Sequence, residues 1–155
     1  MGDALVGRWS RFGAASTLPV SKLVEATDAA PVRNAGRLRE ALELIRPKSR
    51  SPAETRLRLL IVHSGLPEPV LNYDATSASG EVLGCVDLAY PSRRIAIEYE
   101  GEHHFRDRAQ DEKDIERRER FADAGWRTIR VTSEHMLHPN ILVARVAHHL
   151  GIELS

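Results

Sequence analysis

The stretch VDLAYPSRRIAIEYE, residues 86–100, decides how this chain is read. Two apolar-rich runs flank Pro91-Ser92-Arg93-Arg94, and a four-residue loop there makes the flanks an antiparallel hairpin. Tyr90 then pairs with Ile95, Leu88 with Ile97, Asp87 with Glu98 and Val86 with Tyr99. Side chains alternate across a strand. Val86, Leu88, Tyr90, Ile95, Ile97 and Tyr99 therefore fall on one apolar face, and Asp87, Ala89, Ala96, Glu98 and Glu100 fall on the other. A one-residue slip would mix the two sets, so the register is well specified.

The polar face brings three acids close together. Directly paired Cβ atoms lie roughly 5 Å apart and diagonal ones roughly 7 Å, and like charges at that range destabilise a strand pair. Either an acid takes a proton or a cation sits among them. Magnesium binds through one or two carboxylates, waters and phosphate oxygens, with manganese as a substitute. Asp87, Glu98 and Glu100 are thus candidate metal ligands, suited to metal-assisted phosphodiester hydrolysis. The alternative is a solvent-facing side with three ordinary acids. His103 and His104 follow Gly101 directly; either is placed to act as base, to hydrogen-bond a phosphate or to ligate metal.

Helical and strand patterns extend in both directions from the hairpin. Upstream, residues 34–46 place Leu38, Ala41, Leu42 and Ile45 at helical spacing, and Pro47 ends that helix. Ser51, Pro52 and Glu54 mark the start of another helix, with Leu57, Leu60 and Ile61 as its apolar stripe and Gly65 at its end. Glu54 fits a capping carboxylate, and it also fits a fourth member of the acid cluster. Strand-like runs cover about 69–76, 82–90 and 94–100. Downstream, residues 107–124 read as a helix with Ile115, Phe121 and Ala122 on a buried stripe. Residues 126–132 read as a strand, and 134–150 as a helix that Pro139 interrupts or delays. Within the 107–124 helix Asp111, Asp114 and Arg118 share a face. They form either an intrahelical ion pair or a brace for the acids, with Gln110 and Lys113 as further polar candidates. From residue 51 the order is helix, three strands, helix, strand, helix: an α/β fold with a mixed central sheet flanked by helices. Residues 1–33 read as an N-terminal extension and 34–155 as one domain.

The chain has 155 residues, 42% hydrophobic and 28% charged, which suits one globular core and excludes wholesale disorder. One cysteine, Cys85, excludes an internal disulfide and a cysteine-rich zinc site. No apolar run is long enough for a membrane span, and the Met1-Gly2-Asp3 start has no basic region leading into an apolar run. The expected setting is cytoplasmic, with no membrane partner. Net charge is zero, but it is segregated. Residues 33–58 hold eight Lys/Arg against three acids, and residues 81–123 hold twelve acids against eight bases. A basic flank beside an acidic centre is what a phosphate-binding metal enzyme needs, and it is also common on helical surfaces. Arg50, Arg56 and Arg58 are the phosphate-contact candidates in that flank.

Glu54, then Asp87, then Glu98-Tyr99-Glu100, in an α-β-β-β-α-β order, resembles the PD-(D/E)XK nuclease superfamily. VDLAYPSRRIAIEYEGEHH, followed by Asp114-Ile115-Glu116-Arg117-Arg118 and by GWRTIRVT at 125–132, is similar to small endonuclease-like domains related to very-short-patch-repair endonucleases. Glu54-Thr55-Arg56-Leu57-Arg58 and Gly65-Leu66-Pro67-Glu68-Pro69 also match that group, and the likeness covers about residues 34–150. The resemblance implies a restriction-endonuclease-like core and a magnesium-dependent DNA endonuclease. Glu54, Asp87, Glu98, Glu100 and His103 would be its catalytic positions. His104 and Arg118 would contact DNA alongside the flank arginines, and Gln110 and Asp114 would support the site. Glu100 stands where the superfamily usually carries lysine.

Two functions from different classes follow. One is a DNA endonuclease in a repair, restriction or mobile-element context. The other is a catalytically inactive nuclease-fold module, either DNA-binding or a regulatory module associated with a toxin–antitoxin system. The intact acids favour the first, and the missing lysine favours the second. DNA is the expected partner, and the oligomeric state stays open, a homodimer included.

Overall fold

A computed structural model describes Asp3 and residues 19–29, 35–101 and 108–154, the side chains of 108–111 excepted. The chain divides into two compact units, Met1–Leu59 and Leu60–Ser155.

The first unit is helical. It contains α1 (Val20–Ala29), α2 (Ala35–Glu43) and the start of α3 (Pro52–His63). The α1–α2 pair is tied by Arg39, whose Nε and Nη2 donate to Asp28 Oδ1 at 3.1 and 2.9 Å. Helix α2 stops at Glu43, short of the expected end at residue 46. Of its expected stripe, Leu42 is buried whereas Leu38 and Ala41 are exposed. Helix α3 starts as its sequence dictates. Pro52 needs no hydrogen-bond acceptor in the first turn, and Ser51 Oγ accepts the Glu54 amide at 3.1 Å.

A buried polar knot sits beside that helix start. Arg58 is fully buried, and its Nη2 donates to the Leu44 carbonyl. The same nitrogen lies 3.6 Å from the carboxylate of Asp3, itself 3% exposed. Asp3 Oδ1 accepts the Arg46 amide at 2.8 Å, and its Oδ2 accepts the Thr55 hydroxyl at 2.7 Å. Thr55 and Ser49 hydroxyls meet at 2.8 Å. Buried charge needs this kind of pairing.

The second unit holds a four-stranded sheet in the order β1-β2-β3-β4. Its strands are β1 (Val70–Thr76), β2 (Val82–Tyr90), β3 (Ile95–Glu100) and β4 (Arg127–Thr132). β1–β2 and β2–β3 are antiparallel, and β3–β4 is parallel. The parallel pair needs a crossover, and α4 (Arg108–Asp123) supplies it. The expected mixed sheet with flanking helices is therefore present. Between β2 and β3, Pro91–Arg93 form a 3-10 turn, closed by Arg94 at φ 49°.

Trp126 and Phe121 pack with Ala75, Leu83, Val86, Ala89 and Ala96, which places α4 over the Ala96 face. On the opposite face Arg127, which shares that face with Ile129, meets His149 Nδ1 at 3.1 Å. The expected helix over 134–150 is two helices, α5 (Ser133–Leu137) and α6 (Pro139–Leu150), separated at His138. Pro139 has no amide to continue the first helix and opens the second.

Two expectations are corrected here. Val86 does not share a face with Leu88, because it packs in the Ala89–Ala96 cluster. Strict alternation fails next to Asn72, whose φ of 45° kinks β1 opposite this part of β2. The inward side of α4 is also different. Ile115 is 50% exposed and Ala122 is exposed, whereas Arg117, Phe121 and Ala124 turn toward the sheet. An arginine stem over an aromatic ring serves as well as an isoleucine here, with the Arg117 guanidinium 4.8 Å from the Phe121 ring centre.

Candidate functional site

The hairpin register places the acids. Tyr90–Ile95, Ala89–Ala96 and Leu88–Ile97 pair as expected, but the β2–β3 ladder ends there. Asp87 and Glu98 do not form the next rung. Asp87 Oδ2 instead accepts the Tyr99 amide at 2.8 Å. A side-chain carboxylate thus takes the donor that a ladder carbonyl would otherwise accept, and half-buried Asp87 is fixed against the backbone of β3.

Glu98 and Glu100 follow on the Ala96 side of β3, both half-buried. Arg117 Nη1 donates to Glu98 Oε1 at 2.6 Å. Its Nη2 donates to the Cys85 carbonyl at 2.8 Å. Gly84 leaves room for this, since a Cβ there would come 3.2 Å from Arg117 Nε. Glu100 pairs with Arg130 of β4, through both Nε and Nη2. Arg130 is in register with Glu98 across the parallel pair, so it stands on the same face as Glu98 and Glu100.

The expected repulsion among Asp87, Glu98 and Glu100 is therefore relieved within the chain. Three carboxylates face two guanidiniums and one backbone amide, leaving one net negative charge among these five side chains. Among the described residues, no three His, Cys, Asp or Glu side chains are gathered closely enough to hold a metal ion. Carboxylate oxygens are hard-cation donors, but as placed Asp87, Glu98 and Glu100 are each paired within the chain and not gathered into one site.

The remaining candidates divide. Glu54 belongs to the first unit, is 6% exposed, and accepts the Arg50 amide at 2.9 Å through Oε2. Its carboxylate sits at the start of α3, on the amide of the residue before the Ser51 cap. Arg50 and Arg56 are exposed. Arg58 is corrected: it is sealed in the knot with Asp3 and cannot reach a phosphate from there. Arg118 is exposed and donates to the Asp114 carbonyl of its own helix at 3.0 Å, so it does not brace the acids. Asp114 is half-buried, Lys113 is exposed, and Gln110 lies in the first turn of α4. His103 and His104 lie outside the described residues, as does the side chain of Asp111.

Sequence reasoning missed Arg117 and Arg130. A signal for the first was present. Arg117 is three residues after Asp114 and four before Phe121, on one helical stripe with both. Arg130 alternates with Ile129 and Val131 in β4, which puts it on the polar side once the strand order is known.

Comparison with known proteins adds relatives but no function. Two uncharacterised proteins of Mycobacterium tuberculosis, one from each of two strains, are each 32% identical to this chain over 113 residues, 72% of its length. The chain spans 41% of the length of those relatives. No protein-family model matches it, and no solved structure does.

Proposed function

We propose that this chain is a divalent-metal-dependent DNA endonuclease on a restriction-endonuclease-like α-β-β-β-α-β core, of the PD-(D/E)XK kind. The observation that carries the reading is the acidic set Asp87, Glu98 and Glu100 on adjoining strands β2 and β3, each carboxylate held by its own donor, the Tyr99 amide, Arg117 and Arg130 respectively. To hold magnesium or manganese, Asp87, Glu98 and Glu100 would have to leave their separate pairings and close on the ion. The ion would stabilise the charge developing on the phosphate and lower the pKa of the attacking water. The protein's part is preorganisation. The Tyr99 amide holds Asp87, and Arg117 holds Glu98 while itself anchored to the Cys85 carbonyl and Phe121. Exposed Arg50 and Arg56 would track the DNA backbone without reading sequence. The setting is cytoplasmic, and among the described residues no helix is long and apolar enough to cross a membrane.

The test is supercoiled-plasmid nicking in magnesium or manganese with wild type, Asp87→Asn and Glu98→Gln. Asp87→Asn is preferred to alanine because its amide oxygen still accepts from Tyr99 while the charge is removed. Each variant is expected to lose cleavage and to remain folded. Equal nicking by wild type and both variants refutes the assignment.

A second reading has its own support. Arg117 and Arg130 already neutralise Glu98 and Glu100, so the fold does not need a cation for stability. A non-catalytic DNA-binding or regulatory module would look this way. Divalent cations stabilise the folded state if they bind it selectively. A melting temperature that does not respond to millimolar magnesium or manganese favours the module.

A further inference from the structure

Four basic side chains gather where β4 meets the last turns of α6. Arg127 is exposed on the Ile129 face of β4, and its Nη1 donates to His149 Nδ1 at 3.1 Å. A guanidinium only donates, so His149 carries no proton at Nδ1 there. The His148 ring lies 5.6 Å from that of His149, centre to centre. Arg145 shares a helical face with both histidines. It is half-buried, and its Nη1 donates to the Arg130 carbonyl at 3.3 Å, which holds the guanidinium against β4, an edge strand of the sheet. Other arginines of the fold end on carboxylates: Arg39 on Asp28, Arg117 on Glu98, Arg120 on Glu81 and Arg130 on Glu100. Arg127 and Arg145 do not. Among the described residues their guanidiniums meet a histidine and a backbone carbonyl. The carboxyl end of α6 favours a nearby cation, but two arginines and two histidines exceed that need. Burial first, and then the charges of Arg127, His148 and Arg145, hold the His149 imidazole below its usual pKa. The cluster is therefore a patch of positive potential that no ion pair among the described residues answers.

Resting on the endonuclease reading, we propose that Arg127, Arg145, His148 and His149 form a contact surface for the phosphate backbone of duplex DNA. A guanidinium fork matches two non-bridging phosphate oxygens. Both arginines are already placed, one by His149 and the other by β4, so little order has to be gained on binding. Contact through charge alone suits a backbone and carries no sequence preference. Arg127 precedes Arg130 by three residues, roughly 10 Å along β4. A duplex covers that distance in about three base-pair steps, so one duplex can span this patch and the edge beside Glu100. The surface needs no metal to bind.

Fluorescence anisotropy of a short labelled DNA duplex, read at several salt concentrations with EDTA present, tests this. Wild type is compared with Arg127→Gln, Arg145→Gln, both together, and Arg127→Lys combined with Arg145→Lys. Lys22→Gln, at an exposed lysine paired with Glu25 in the first unit, makes the same charge change elsewhere. Each arginine-to-glutamine change is expected to weaken binding about 10-fold, the low end for a hydrogen bond to a charged group, whatever the duplex sequence. The slope of log Kd against log salt should shrink by about 1 for each arginine removed. The lysine pair keeps the charge and should retain most of the binding, which separates a lost contact from a folding defect. Lys22→Gln should bind as wild type does. If wild type binds the duplex and the glutamine variants keep its affinity and salt slope, the patch is wrong and the endonuclease reading stands. If the double glutamine variant loses binding while wild type fails to nick plasmid in manganese, the patch stands and the endonuclease reading falls. Polyglutamate bound by wild type more tightly than the duplex, and lost in the double glutamine variant, overturns the proposal in favour of an acidic protein partner.

Discussion

Replacing Arg58 by methionine separates a buried arginine from a phosphate-binding one. The methionine fills much of the same space but removes the charge. Asp3 would then keep a carboxylate that is 3% exposed, with the Arg46 amide and Thr55 hydroxyl still donating to it. Breaking a buried ion pair by removing one partner costs about 3–5 kcal/mol. The two surviving hydrogen bonds put this case near the lower end, about 3 kcal/mol. The Leu44 carbonyl also loses its Arg58 donor, which adds about 1 kcal/mol. The sum, about 4 kcal/mol, moves a urea midpoint down by about 2 M for an m-value of about 2 kcal/mol per molar. Urea titration followed by far-UV circular dichroism reads this directly. Arg56→Met, on the same helix but exposed, serves as control and is expected within about 0.5 kcal/mol of wild type. Adding Asp3→Asn to Arg58→Met should recover part of the loss, because a neutral amide is cheaper to bury than an unpaired carboxylate. A loss below about 1 kcal/mol for Arg58→Met, or no recovery in the double variant, would refute the buried knot.

Two further outcomes follow from the second unit. Burial, then the charges of Arg127, His148 and Arg145, hold the His149 imidazole below its usual pKa. The folded state then binds fewer protons than the unfolded state as pH falls through about 6.5, so stability drops on acidification. His149→Gln should flatten that part of a melting-temperature profile between about pH 7.5 and 5.5; an unchanged slope argues against it. Trp126→Phe keeps an aromatic ring against Phe121 and Tyr73 but removes the Nε1 donor to the Thr76 carbonyl at 2.9 Å. A loss of about 1–2 kcal/mol in chemical denaturation is expected, and a change under about 0.3 kcal/mol would mean water replaces the bond.

Much of the fold was legible because its signals are local. Alternating polarity and the Pro91 turn specify the pairing of Tyr90 with Ile95 and Leu88 with Ile97, since any slip would bury carboxylates. Ser51, Pro52 and Gly125 punctuate helices through backbone chemistry that neighbouring residues decide alone. The acids at Asp87, Glu98 and Glu100 were readable for the same reason. What answers their charge was not. Repulsion counted along one hairpin calls for an added cation, yet the guanidiniums come from 19 and 30 positions away, on α4 and β4. Helical spacing alone favoured Ile115 over Arg117 as the inward residue, because periodicity weighs polarity and cannot see a carboxylate waiting on another strand. The same blindness hid Arg58: a basic residue in a basic stretch reads as surface, until a carboxylate from the far end of the first unit, Asp3, meets it inside. Sequence patterns specify which residues share a face; the choice of electrostatic partner depends on distances that exist only after the chain has closed on itself.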